Sequence, residues 1–290
     1  MKIMGIRKPI VAGTFYESGF QSLEEQIKGC FLHKKGPGDV PTKRGNKEIK
    51  AIISPHAGYS FSGPCAAWGF KEIAESKLPD VYIILGPNHS GFGKTSVNLD
   101  SWQTPFSIIR PDVEFGKTLV KNTDLVEDPR AHLQEHSIEV QLPFLQFVSK
   151  DVLQRIRILP ISVSHDVDIN KLALDMKEVI LDTNKKVVFI VSSDFTHYGP
   201  QYSYVPFSSD VPQRLYKLDE DAIKLIKKLD ADGLLKYTYE TGATICGQLP
   251  IALLLRTLEK TKAKLLQYYT SADIIGDYKN AVGYASILFE

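Results

Sequence analysis

The sequence of 290 residues lacks the long apolar segments that mark membrane and exported proteins. No apolar run approaches the ~20 residues that a membrane-spanning helix needs. The first nine residues carry charge but no apolar run long enough for a signal peptide. We therefore expect a soluble, cytoplasmic protein that does not bind membranes.

An excess of charge of either sign is also missing. Lys and Arg number 35 against 34 Asp and Glu, which gives a formal net charge of +1. Proteins that bind nucleic acid usually carry a clear basic excess. We therefore expect no nucleic-acid partner.

Cysteine is scarce, since the chain has only Cys30, Cys65 and Cys246. The odd number and the absence of a Cys-x-x-Cys spacing argue against a disulfide framework or a zinc ribbon. Cys30 and Cys65 lie within helical apolar patterns, which is typical of core residues. Any functional cysteine therefore acts as a single thiolate.

Nucleotide-binding and serine-hydrolase motifs are absent as well. No strand is followed by G-x-G-x-x-G, and the sequence has neither a Walker A lysine motif nor a G-x-S-x-G elbow. The glycine-rich residues 86–93 contain Pro87 and His89 where a phosphate cradle would need other residues. We expect no nucleotide cofactor.

The pattern that is present alternates short β-branched runs with helical stretches. A hydrophobic share of 43% suffices for a large core, and no repeat or linker divides the chain. Continuous apolar runs predict strands covered on both faces. We predict one α/β domain over residues 1–290, with a central, mostly parallel or mixed sheet flanked by helices. The predicted strands are residues 49–53, 81–85, 156–161, 187–191, 264–270 and 282–289, and the predicted helices are 64–76, 112–122, 134–149, 169–181, 215–229 and 246–260. The polar residues 33–50 are predicted to form a loop. Strand 282–289 alternates in a way that suggests one better-covered face.

Histidines follow several of these predicted strands. His56, His89 and His197 come directly after three of them, Asp194 accompanies His197, and His165 follows the 156–161 run. Ligand sites in open α/β sheets lie beyond the carboxyl ends of the strands. Imidazole is the commonest metal ligand and the usual acid or base near neutral pH. The spacing predicts one cleft lined by imidazoles, although any single histidine could be an ordinary loop residue.

Cys246 precedes the apolar pattern of the last helix, with Thr244 as a candidate N-cap. A thiol at a helix N-terminus has a lowered pKa and readily becomes a nucleophile or ligand. The alternative is a small buried hydrophobic residue. Position alone leaves both open.

A cluster of polar side chains lies at residues 135–141. Glu135 and Glu139 are one helical turn apart and His136 is adjacent, but the order does not match the H-E-x-x-H zinc motif. Glu135 and His136 are candidates for supporting a metal ligand or contacting a substrate. Glu139 and Gln141 could instead belong to a solvated face.

Six short segments stand out along nearly the whole chain: PIVAGTFY (9–16), SPHAGY (54–59), GPNH (86–89), EHSIE (135–139), SSDFTHYG (192–199) and GATICG (242–247). In order and spacing they resemble the signature segments of the Memo family, and the resemblance is to a prokaryotic member. The family's fold is similar to that of class III extradiol dioxygenases. The resemblance implies that His56, His89 and Cys246 bind a metal, while Asp194 and His197 form a catalytic polar pair.

The cysteine departs from the dioxygenase pattern, in which two histidines and a carboxylate hold Fe(II). A thiolate favours copper or zinc and changes the redox behaviour of iron. The expected cofactor is therefore Cu or Fe, with Zn as a further option.

Three functions remain open on these observations. In the first, a metal-dependent oxidoreductase acts on a small substrate, His197 moves a proton and Asp194 orients it or a water. In the second, the cleft binds a peptide as a non-catalytic scaffold. In the third, a metal-bound water hydrolyses an ester or amide. Aromatic residues that could line the cleft are Tyr59, Phe92, Trp102, Tyr198 and Tyr202. Lys94 is the only cation in the motif loops, which disfavours phosphopeptide binding.

Overall fold

The computed structural model, which describes residues 5–290, contains one mixed sheet of twelve strands. The first four positions of the predicted 1–290 domain, which are also four of the nine residues considered for a signal peptide, lie outside the described residues. The strands are β1 (Ile6–Arg7), β2 (Ala51–Ser54), β3 (Val81–Pro87), β4 (Ser96–Val97), β5 (Ser101–Gln103), β6 (Ile108–Pro111), β7 (Val126–Glu127), β8 (Arg157–Val163), β9 (Val187–Ser192), β10 (His197–Tyr198), β11 (Ala263–Thr270) and β12 (Ala281–Phe289).

The centre of the sheet is parallel and one side is antiparallel. Strands β8, β3, β9 and β2 lie side by side in parallel, and β12 then pairs antiparallel with both β2 and β11. Side chains from β2, β3, β8 and β9 are buried on both faces, apart from the partly exposed first residue of β8 and of β9. The mixed α/β class and the six predicted strands are thereby confirmed.

Strand β12 differs from its prediction, because it is buried along its whole length rather than on one face. Its alternate side chains enter two separate hydrophobic clusters: Ile287 packs in one and Leu288 in the other. Its pattern looked half-exposed because small and hydroxyl residues such as Ser286 occupy buried positions. The alternation of residue types along the strand therefore underestimates how deeply β12 is buried.

Helices cover both faces of the sheet. One hydrophobic cluster contains Leu172 and Met176 of the helix at 169–182 with Leu253 of the helix at 248–257. The other contains Phe70 of the helix at 59–74 with Phe144 of the helix at 141–147. Full burial of each such side chain contributes roughly 1.5–3 kcal/mol. Within residues 5–290 no helix is long and apolar enough to cross a membrane. The helices are α1 (Phe20–Leu32), α2 (Tyr59–Ala74), α3 (Val113–Asn122), α4 (Gln141–Phe147), α5 (Ile169–Asp182), α6 (Val211–Lys227), α7 (Ala231–Thr241), α8 (Gln248–Thr257) and α9 (Ala272–Ile275).

Some helix predictions were wrong in extent. The predicted helix 134–149 is helical only over α4, because the Glu135 carboxylate accepts the Ser137 N–H and holds the preceding residues in turns. Helix α2 begins at Tyr59, five residues before the expected start, and contains Pro64. Helices α1 and α7 were not predicted. Residues 33–50 contain no helix or extended strand, in agreement with the predicted loop.

Candidate functional site

His56, His89 and Cys246 converge at the carboxyl end of the parallel strands. His56 follows β2, His89 follows β3, and Cys246 lies two residues before α8. One ligand atom from each lies within 4.8 Å of the others. His56 Nε2 is 3.3 Å from Cys246 Sγ, and the rings of His56 and His89 are 5.1 Å apart. Such an arrangement offers two nitrogens and one sulfur to a single ion.

Hydrogen bonding determines which nitrogen of His56 faces the thiol. Ser192 Oγ donates its only hydrogen to Ser137 O at 2.7 Å and accepts from Gln141 Nε2 at 2.8 Å. His56 Nδ1 lies 2.8 Å from the same oxygen and must therefore be the donor. Nε2 consequently presents a lone pair toward Cys246. Burial, followed by the neighbouring imidazoles, lowers the pKa of His56 well below its usual value, which favours this neutral form.

His89 is held in a similar way by Glu135. The buried carboxylate accepts the His89 backbone N–H at 2.6 Å and contacts ring Nδ1 at 3.0 Å. Burial opposes protonation, but the hydrogen bond and charge of Glu135 outweigh it and raise the pKa of His89. Burial likewise raises the pKa of Glu135, yet His89 and the Ser137 N–H lower it to about 2 overall. Glu135 is therefore an ionised positioning group rather than an acid or base.

A second cluster of possible metal ligands is formed by His89, Glu135 and His136. Both oxygens of Glu135 are already engaged by N–H donors from His89 and Ser137. Binding an ion there would break these bonds inside the protein, which is costly. The cluster with Cys246 is the better candidate.

Cys246 differs from its prediction in both position and acidity. Helix α8 starts at Gln248 with Gly247 at its N-cap, so Cys246 lies outside the helix. Burial, reinforced by the Asp194 carboxyl, raises the pKa of the thiol well above its usual value. The Asp194 N–H donates to Sγ at 3.2 Å, but it does not offset burial. The expected lowered pKa is wrong because the thiol is desolvated and lies beside a carboxyl group.

Thr244 does not cap α8 either; it positions His197. Thr244 Oγ1 accepts the His197 N–H and donates to His197 O, both at 2.8 Å. His197 Nδ1 lies 3.1 Å from Thr244 O, and since a carbonyl only accepts, Nδ1 carries the proton. Nε2 of His197 is left as a proton acceptor in the cleft.

Asp194 supports the His56 loop rather than His197. Its Oδ1 accepts the N–H groups of His56 at 2.8 Å and Ala57 at 3.3 Å, and Oδ2 lies 4.0 Å from His56 Nε2. Burial raises the pKa of Asp194 despite the nearby His197. No hydrogen bond joins Asp194 to His197 within residues 5–290, so the structure does not support direct orientation of this histidine by Asp194; that Asp194 orients a water stays a prediction.

His136 is the one imidazole of the cleft whose ring nitrogens have no hydrogen bond within residues 5–290. Its ring stacks on His89 with centroids 5.0 Å apart and meets Phe15 at 4.9 Å. Burial lowers its pKa, so it is neutral near pH 7. A neutral imidazole can both donate to a ligand and accept from it.

The cleft itself has a volume of about 630 Å³, within the range of small-molecule sites. His56, His89, His136, Asp194 and His197 all line it. Most of the expected aromatic residues lie elsewhere, because their rings pack in the core or, for Phe92, face solvent. Among the described residues the aromatic walls are Phe15, Phe61, Tyr202 and Tyr284.

Other residues singled out by sequence lie away from the cleft or in the core. His165 is exposed and does not line the cleft. Glu139 and Gln141 are buried rather than solvated. Glu139 pairs with Arg7 and accepts from Tyr16 Oη at 2.7 Å, which ties the N-terminal segment to the domain.

Sequence reasoning did not identify Ser192, Gln141 and Thr244 as supporting residues. Ser192 ends a buried strand and Gln141 starts a buried helix, positions where an unpaired polar group would be costly. That signal could have pointed to a buried network. Their partners lie 47 or more residues away, and spacing along the chain does not reveal them.

The donor set fits a transition metal. Two imidazoles have their Nδ1 atoms held by Ser192 and Glu135, the usual way in which metal-binding histidines are oriented. A single sulfur opposite them suits Cu, Zn or Fe better than Mg²⁺ or Ca²⁺.

Comparisons with known protein sequences cover nearly the whole chain. A family profile described as Memo-like protein matches residues 7–288. A MEMO1 family protein of Methanopyrus kandleri is 37% identical over 295 residues, with 98% of each chain covered. One from Desulfurococcus amylolyticus is 40% identical over 293 residues, again covering 98% of each chain. A crystal structure of an Escherichia coli K12 protein is similar in fold alone, with a TM-score of 0.53 and 11% identity over 83% of this chain and 99% of that chain.

Proposed function

Since the chain belongs to the Memo family, as one of its prokaryotic members, we propose that its cleft binds one transition-metal ion and performs redox chemistry on a small molecule. The ligands are His56, His89 and Cys246. The observation that carries this proposal is that one ligand atom from each of these residues lies within 4.8 Å of the others. In addition, Nδ1 of both imidazoles is already hydrogen-bonded, to Ser192 in one case and Glu135 in the other. Such prior orientation lowers the cost of binding an ion.

A bound Cu or Fe ion would supply electron transfer and a site for oxygen. The protein supplies the rest of the chemistry. His197 accepts a substrate proton at Nε2, because Nδ1 already carries a proton and donates it to Thr244 O. His136, without a fixed hydrogen bond, contacts the substrate, and Asp194 keeps His56 and its loop in place.

Metal analysis of protein purified without added metal tests the ligand set. We expect close to one Cu or Fe per chain in the wild type, under aerobic or anaerobic handling. His56→Ala and Cys246→Ser should lose affinity by more than the ~10–100-fold that removal of a mere supporting group costs. Competition titration with a chelator of known affinity measures the difference.

His165→Ala is the matched control, because this exposed histidine also follows a strand but lies outside the cleft. It should bind metal like the wild type. Equal, negligible metal in the wild type and all variants would overturn the metal proposal.

Redox function is tested separately, with metal-loaded protein and an oxygen electrode. Oxygen consumption with a small aromatic reductant should depend on the metal and fall at least tenfold in His197→Gln, whose amide cannot act as a base at neutral pH; about 10²–10⁴-fold is typical for loss of such a group. Metal-loaded protein that consumes no oxygen with any such reductant would exclude oxidoreductase activity.

Peptide binding is the second candidate, and the apolar rim favours it. Phe61 and Ile275 line the cleft with 38% and 56% of their surface exposed. Exposed apolar side chains beside a cleft are a common feature of peptide sites. Metal-free protein that binds peptides as tightly as metal-loaded protein would support this second function.

A further inference from the structure

The polar and apolar groups of the cleft are arranged by depth. His56 and Asp194 are almost completely buried and form its floor, with 2% and 3% exposure. Asp277 and Gln201 are exposed and lie at its mouth. Of the aromatic side chains that line the cleft, Tyr284 is as buried as the floor, whereas Phe15, Phe61 and Tyr202 are partly exposed and form its walls. A ligand that fills the cleft therefore meets aromatic side chains inside it and polar side chains at its mouth, which suits a ring with a polar tail.

The charges that face this ligand have one sign. Asp194 and Asp277 are the only charged side chains, apart from histidines, among the described residues that line the cleft, and no Lys or Arg lines it. Lys35, near the adjoining helix α9, lies 3.8 Å from Asp273 and over the Tyr269 ring, so its charge is already paired. The His89 ring is already hydrogen-bonded to Glu135. An anionic tail at the mouth would thus be repelled by Asp277 and would find no Lys or Arg to pair with.

Asp277 has one carboxylate oxygen available for a ligand. Its Oδ1 accepts the Lys279 N–H at 2.7 Å, while Oδ2 has no hydrogen bond within residues 5–290. An ammonium group at the mouth would form a charge-assisted hydrogen bond with this oxygen.

We propose that the cleft selects a small aromatic molecule with a cationic tail, held with its ring above the histidines and its amine against Asp277. This inference uses the site of the proposed function but does not require the metal. Asp277 is then a specificity-determining residue, and the walls determine that the ligand is aromatic.

Three phenols that differ only in their tail test the inference on metal-free protein. Calorimetry with 4-ethylphenol, tyramine and 4-hydroxyphenylacetate compares a neutral, a cationic and an anionic tail. We expect tyramine to bind about fivefold tighter than 4-ethylphenol, as is typical of a partly exposed ion pair. 4-Hydroxyphenylacetate should bind more weakly than either.

Variants at the mouth of the cleft test whether Asp277 produces the preference for a cationic tail. Asp277→Asn should remove the preference between tyramine and 4-ethylphenol, and Asp277→Lys should invert it toward 4-hydroxyphenylacetate. Asp182→Asn, on the exposed end of α5, is the matched control and should keep the wild-type preference. Lys279→Gln should also keep it, since only the Lys279 backbone contacts Asp277.

Equal binding of the three phenols, or an equal effect of Asp182→Asn, would overturn the inference while leaving the metal function untouched. If none of the three phenols binds, the inference is likewise overturned and the metal function is unaffected. A charge preference that depends on Asp277 in protein that never binds metal would support the inference and refute the metal function.

Discussion

At Ser192, one hydroxyl group determines which nitrogen of His56 faces Cys246. Replacing it with alanine removes the acceptor of His56 Nδ1–H and leaves the amide of Gln141 with only Pro55 O as an acceptor. We expect Ser192→Ala to weaken metal binding about 10–100-fold. Chelator competition measures this loss.

The exposed Ser208 provides a control, since Ser208→Ala removes a hydroxyl group far from this network. A folded Ser192→Ala protein with wild-type metal affinity would show that the hydroxyl group does not orient His56.

Asp219 is a buried acidic side chain with no Lys or Arg beside it among residues 5–290. It accepts from Thr196 N–H at 3.1 Å, from Thr196 Oγ1 and from Tyr268 Oη, but burial still raises its pKa to about 6. Because the raised value belongs to the folded state, its contribution to stability is complete below pH ~4 and is lost as the pH rises through about 6. A rise from 3.8 to about 6 corresponds to roughly 3 kcal/mol.

Asp219→Asn should remove this pH dependence. The difference in free energy of unfolding between the variant and the wild type should change by roughly 3 kcal/mol between pH 4 and pH 7. Urea denaturation at both pH values measures it, and Asp182→Asn should show no such change. A constant difference across this range would mean that Asp219 is ionised throughout.

At the scale of elements, the start of α8 contacts the end of β9 directly. A Cβ atom added at Gly247 would lie 2.3 Å from Ser193 Cβ and 2.9 Å from Ser192 O. Gly247→Ala must therefore shift the start of α8, and with it Cys246, relative to Ser193. We expect a loss of about 1–3 kcal/mol in stability, as for overpacked cores, together with weaker metal binding.

Gly29 is the matched glycine, because a Cβ added there in α1 would meet nothing within 4 Å. Gly29→Ala should be neutral or stabilising, since alanine is the better helix former. Denaturation curves compare the two variants. Equal stability of both would show that α8 can adjust its position without cost.

The sequence predicted elements well where one physical signal dominated. Continuous apolar runs identified β2, β3, β8 and β9, and the position of His56 and His89 after them predicted their convergence. The predictions from sequence failed where tertiary contacts override the local pattern of apolar residues. Residues 134–140 have helical spacing, but the Glu135 carboxylate holds them in turns. The sequence predicts a helix-terminal environment for Cys246, but burial, reinforced by the Asp194 carboxyl, raises the pKa of the thiol instead of lowering it.

For the whole molecule, Glu139 joins the N-terminal segment to the domain. It pairs with buried Arg7, and its carboxylate also accepts the N–H groups of Ile10 and Val11 at 3.0 Å. Glu139→Gln leaves the Arg7 charge without its counter-ion, and breaking a buried pair typically costs about 3–5 kcal/mol. We expect a loss of this size, measured by urea denaturation.

The same variant should expose the N-terminal segment to proteases, because Phe15 then loses its place beside His136. Glu178→Gln, on the exposed side of α5, is the control and should behave like the wild type. Wild-type stability and protease resistance in Glu139→Gln would show that the segment is held by packing alone.

The position of β12 has a consequence for how the protein is made in the cell. Residues 281–289 complete the sheet by pairing with β2, more than 200 residues earlier in the chain. During synthesis the edge of β2 that pairs with β12 therefore remains unpaired until the ribosome has produced nearly the whole domain. Such late, long-range pairing slows folding and leaves an aggregation-prone intermediate. Production of this protein is expected to depend on chaperones and on slow translation more than its final stability would suggest.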